Sequence, residues 1–158
     1  MSQSSDPFFQ VFQALQPDVD VVILPPERPV DAPYADRDEA IAVAMATART
    51  LHELLDESGA DSRPRSEQER WDRRSDDVHV HVARARATHD DPSDATAALL
   101  RVGDVLDAAG WEPRPIDSPT PWLTARSPGG LQVDVAVERA DLVIIVTSTP
   151  LRLEQDPS

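Results

Sequence analysis

The last third of the chain leaves very few arrangements open. Leu131, Val133, Val135 and Val137 alternate with Gln132, Asp134, Ala136 and Glu138, the period of two that marks a half-buried strand. Ser127-Pro128-Gly129-Gly130 before it and Glu138-Arg139-Ala140-Asp141 after it are turn sequences. Trp122–Arg126 reads as extended, and Leu142–Val146 is apolar at every position, as a central strand is. Strands joined by such tight turns form an antiparallel meander. One face of that meander must be covered by the rest of the chain.

Two helices are available to cover it. Asp36 is placed to cap the first, and Glu39, three residues on, is placed to reach back in a capping box. Ile41, Ala44, Ala48, Leu51 and Leu55 then make an apolar stripe, and Gly59 fits the left-handed position past its end. Asp91-Pro92 opens the second, with proline in the first turn, where no amide donor is needed. Its stripe is Ala95, Leu99, Val102, Leu106 and Ala109, and Gly110 ends it. Between the helices, Val78–Ala87 alternates as a strand, with Val78, Val80 and Val82 on one side and His79, His81, Ala83 and Ala85 on the other. Phe8, Phe9, Phe12 and Leu15 suggest a short amphipathic helix, and Val19–Leu24 a short strand. The expected fold is α+β: a two-layer sandwich with a mostly antiparallel sheet of four or five strands under two main helices. A single domain is expected over residues 1–158, with flexible tails at 1–6 and 151–158. Residues 60–77 mix acidic side chains with five arginines and a single large apolar side chain, Trp71, a composition that predicts a mobile loop.

Charge narrows the class of partner. The 158 residues carry 29 carboxylates against 15 basic side chains, a net charge of −14. Such a chain is repelled by nucleic acid and by anionic membrane surfaces, and is suited to a basic protein. All 15 basic side chains are arginine, and asparagine is absent with lysine, a usage that follows GC-rich codons and points to a GC-rich bacterium or a salt-adapted archaeon. With no cysteine there is no disulfide, thiolate nucleophile or cysteine-ligated metal. No secretory n-region and no run of about 18–20 apolar residues is present, so a cytoplasmic location is expected.

Few residues carry a chemical signal. His79 and His81 share a strand face, and with His89 as a third ligand they would form a zinc site, the basis for an alternative reading as a small metal-dependent enzyme. Two histidines two residues apart on a strand are, more simply, neighbours on one face, and no metal or cofactor is expected. Arg84 and Arg86 share the face of the three valines, where they either leave the core, meet acidic groups such as Asp76 and Asp77, or hold an anion. No nucleophile elbow and no phosphate-binding glycine loop occurs, so no catalytic residue is assigned. The candidate binding residues are Asp76, Asp77, Asp90 and Asp91 for a basic partner, with Trp111 and Trp122 as aromatic anchors around a loop stiffened by four prolines. A nucleic-acid-mimicking inhibitor is a further alternative within the binding class.

Residues 95–149 run as an amphipathic helix, Gly-Trp, a proline-rich loop, a strand, a Gly-Gly turn and two strands. In that order, and in Leu106, Gly110, Trp111, Gly129 and Gly130, the chain resembles small α+β lipoproteins and uncharacterised proteins of actinobacteria. The resemblance covers about a third of the chain. It implies a fold and a lineage, and no activity. The lipidated cysteine of those lipoproteins has no counterpart in a chain without cysteine. The expectation from sequence is thus a non-enzymatic, acidic α+β module that binds a basic protein, in the manner of an immunity protein, a chaperone or a complex subunit.

Overall fold

A computed structural model describes residues 31–60 and 63–153. The helix expected at residues 8–16, the strand at 19–24 and the tail at 1–6 lie outside the described residues. The described elements are β1 (Tyr34–Ala35), α1 (Arg37–Glu57), β2 (Arg65–Arg73), β3 (Val78–Thr88), α2 (Pro92–Ala108), β4 (Arg114–Pro115), β5 (Trp122–Arg126), β6 (Gln132–Glu138), β7 (Asp141–Thr147) and β8 (Leu151–Leu153). The class is α+β, with two helices on one mixed sheet of eight strands. The sheet is larger than the four or five strands expected. Two of the extra strands, β1 and β4, are two-residue pairings that composition does not signal.

The helix ends form as their capping residues dictate. Asp36 accepts from the Glu39 amide at 2.8 Å, and the Glu39 carboxylate accepts from the Asp36 amide at 2.8 Å, a closed capping box. Asp91 caps α2 through the Asp94 amide at 2.9 Å, with Pro92 in the first turn. Gly59 follows α1 with φ of 75°, a backbone region that glycine enters without a Cβ penalty.

The meander is present, with β5, β6 and β7 antiparallel in sequence order. β7 then pairs with β3, which pairs on its other edge with β2 along its whole length. The β3 register shifts by one residue between Val82↔Thr147 and His79↔Leu151, so β8 continues β7 past a bulge at Ser148. Two hydrogen bonds hold that bulge: the Ser148 amide donates to the His81 carbonyl at 2.9 Å, and the His81 amide donates to the Ser148 hydroxyl at 2.8 Å. β1 adds to β8 in parallel and makes the sheet mixed.

Two expectations are corrected here. Residues 65–73, expected in a mobile loop, form the nine-residue strand β2. Its ladder to β3 runs from Arg65↔Ala87 to Arg73↔His79. Most of its side chains are exposed, so backbone pairing rather than burial makes it a strand, and composition carries no mark of that. Leu151–Leu153, expected in a flexible tail, is β8, and Leu151 and Leu153 are buried against Ala40 of α1.

The core lies between the helices and one face of the sheet. Ala83, Ala85 and Ala87 of β3, Ile144 and Val146 of β7, Val133, Val135 and Val137 of β6, and Leu123 of β5 meet Leu51, Leu54 and Leu55 of α1 and Ala98, Leu99, Val102 and Leu106 of α2. The alanines of β3 let the helices sit close over the middle of the sheet. Truncating a fully buried side chain such as Leu106 or Ile144 to alanine costs about 2–5 kcal/mol. The stripe of α2 is as expected except that Ala109 is exposed at the C-cap. In α1 the buried face is Ala40, Thr47, Leu51, Leu54 and Leu55, which turns Ile41 outward to 48% exposure.

Candidate functional site

The register divides the side chains of the sheet into two sets. Odd-numbered positions of β3 face the helices, and even-numbered positions face away. His79 and His81 are therefore on the helix side and buried. The Thr47 hydroxyl of α1 donates to the Ala44 carbonyl at 2.8 Å and makes a short contact with His81 Nδ1. With the hydroxyl proton committed to Ala44, Nδ1–H is the donor to Thr47, and His81 Nε2 is left facing Glu69 of β2 at 3.8 Å. Trp71 of β2 meets the imidazole edge-on with ring centroids 5.1 Å apart. Burial holds the His81 pKa below the usual histidine range, and the Glu69 carboxylate opposes that shift. One turn further along α1, His52 Nε2 reaches Glu67 of β2 at 3.1 Å. These contacts tie α1 to the edge strand.

The zinc reading is not assembled. His89 lies beyond the far end of β3, about 25 Å from His81 at the rise of a strand. Its amide donates to the Ala140 carbonyl at 2.9 Å, and its ring Nδ1 lies 3.2 Å from the Ala87 carbonyl. Among the described residues no group of three or more metal-ligating side chains converges.

The six candidate binding residues are placed apart. Asp76 and Asp77 stand at one end of β3, and Asp90 and Asp91 at the other, about 35 Å away. Asp76 pairs with Arg73 at 3.3 Å, Asp77 with Arg152 at 2.6 Å, and Asp90 with Arg63 at 3.0 Å, while Asp91 is the cap of α2. Trp111 packs against the core on the helix side, whereas Trp122 is 41% exposed on the opposite face of the sheet. The two tryptophans therefore do not belong to one surface.

The structure reveals instead a division of charge between the two layers. α1 and α2 carry eight carboxylates and three arginines, and all eight carboxylates are exposed. Within that acidic layer Met45 is 58% exposed and Leu100 61%, and Met45 stands one turn from Ile41. The far face of the sheet differs in sign. The register places Arg70, Arg84, Arg86, Arg114, Arg126 and Arg152 there, against Asp72, Asp134, Glu138 and Asp141. Asp76 and Asp77 do not meet Arg84 or Arg86. Arg86 is bound by Asp141 at 2.8 Å and by Glu138, and the hydrogen bond from Arg86 holds the Asp141 carboxyl below its usual range. Sequence spacing could not show this segregation, because it depends on which turn and which register carries each charge. Comparison with family models, with curated proteins and with solved structures finds no match.

Proposed function

We propose that the chain is a non-enzymatic binding module whose acidic helical layer receives a basic protein. The observation that carries this reading is the exposed surface of α1 and α2, which bears eight carboxylates against three arginines together with the exposed side chains of Ile41, Met45 and Leu100. Exposed charge of one sign steers a partner of the other and sets its association rate. Exposed apolar side chains within it supply contacts that lose water on docking, which slows dissociation. Trp122 is not part of this surface, so the anchors are Met45 and Leu100.

The test measures association and dissociation rates with a basic protein captured by the purified chain. Association should fall steeply between 0.01 and 0.15 M salt, as the screening length shrinks from roughly 30 Å to about 8 Å. Reversal of Glu53, Asp56 and Glu57 to arginine should slow association at least tenfold. Met45→Ala should raise the dissociation rate and leave association nearly unchanged. An association rate indifferent both to salt and to the triple reversal would overturn the reading.

A further inference from the structure

We infer that the far face of the sheet holds a site for a phosphoryl group, formed by Ser66 and Gln68 of β2 with Arg84 and Arg86 of β3. The β2–β3 register sets Ser66 opposite Arg86 and Gln68 opposite Arg84, so the four side chains stand as a two-by-two array on one face. They line a depression of about 220 Å³. Two guanidinium groups, a carboxamide and a hydroxyl all offer donors; among the described residues no carboxylate lines it, and of these four side chains Glu138 and Asp141 reach only Arg86.

The two arginines do different work. Arg86 is fixed through its two terminal nitrogens by Asp141 and Glu138, which leaves its Nε–H in place and more than offsets its charge. Arg84 is half-buried, and among the described residues no hydrogen-bonding or ion-pair partner reaches it. Arg84 therefore supplies the uncompensated positive charge, and the other three supply directed donors. A planar carboxylate is satisfied by one guanidinium fork. Donors arriving from two strands around a depression match a tetrahedral group, whose three free oxygens need partners on several sides. The volume exceeds that of an oxyanion alone, so the ligand class is a phosphate monoester with a small organic body. The net charge of the whole chain opposes any anion. The acidic helical layer lies on the other side of the sheet and is screened over ~8 Å at physiological salt, so the local charge is set by Arg84.

The test is a titration at constant ionic strength followed by NMR of the arginine Nε–H signals. Phenyl phosphate should shift the Arg84 and Arg86 signals saturably and bind more tightly than inorganic phosphate, and acetate should bind most weakly. Arg84→Gln should weaken phenyl phosphate at least tenfold. Arg126→Gln, on the same face and outside the depression, should change it less than twofold. Circular dichroism of both variants should match the parent. Shifts that grow without saturation, equal losses in the two variants, or acetate binding as tightly as phosphate would each overturn the assignment.

Discussion

At the scale of single residues, His81 carries the sharpest expectation. Its imidazole is buried beneath Thr47 and flanked by Trp71 and Glu69. Its folded pKa lies below the unfolded value of about 6.5 because burial disfavours the cation. Between those two values the unfolded chain binds more protons than the folded one. The stability that neutral His81 confers is therefore complete above about pH 6.5 and is lost as pH falls below it. Thermal melts between pH 8 and 5 should show that loss, and His81→Gln should flatten it. A histidinium at the edge of an indole quenches it, so Trp71 emission of the folded protein, read in a background with Trp111 and Trp122 replaced by phenylalanine, should fall with a midpoint below pH 6.5, at the lower edge of the range over which stability is lost. Thr47→Val keeps the shape and removes the hydroxyl, leaving a buried imidazole donor without a partner. It should cost about 1–3 kcal/mol in chemical denaturation. A cost near zero would show that the short Thr47–His81 contact contributes nothing.

At the scale of elements, the least expected strand makes the clearest prediction. β2 is held to β3 by its ladder, so alternate amides within 65–73 should resist hydrogen exchange while those pointing to solvent exchange freely. Fast exchange at every position would restore the loop reading. The contrast with the rest of the fold is physical. The capping box at Asp36, the start at Asp91-Pro92 and the alternation of Leu131–Val137 are local signals, written in residues a few positions apart, and each is legible. β2 is polar on both faces because, among the described residues, it has one strand neighbour and little burial, so no period of two in hydrophobicity exists to be read. Ile41 was legible as helical but not as outward-facing, since its spacing fits two adjacent stripes and only the position of β8 under Ala40 decides between them. For the candidate sites, residue types were legible and neighbourhoods were not. Nothing near Arg86 in sequence names Glu138 or Asp141, which come from a hairpin more than fifty residues away.

At the scale of the whole molecule, charge is distributed unevenly between two layers. Fourteen excess negative charges repel one another in the folded state more than in the expanded one. Added salt screens that repulsion, so the melting temperature should rise between 0.01 and 1 M sodium chloride, where the screening length falls from about 30 Å to about 3 Å. A falling melting temperature would mean that the pairs Arg86–Asp141, Arg152–Asp77 and Arg65–Glu67 outweigh the net repulsion. The order of charges along β2 has a separate consequence. Two copies that joined by antiparallel pairing of their β2 edges would form one continuous sheet, the first step of strand-by-strand aggregation. A register centred on Glu69 sets Glu69 against Glu69 and Arg65 against Arg73, and one centred on Gln68 sets Glu67 against Glu69; centred on Arg70, it sets Arg70 against Arg70 but also Glu67 against Arg73 at both ends. The two registers centred on Glu69 and Gln68, the first of which uses the whole strand, thus oppose like charges across the new seam without any opposite-charge pair. The full-length register, which would build the longest seam, is therefore the one that the strand's own order of charges opposes most.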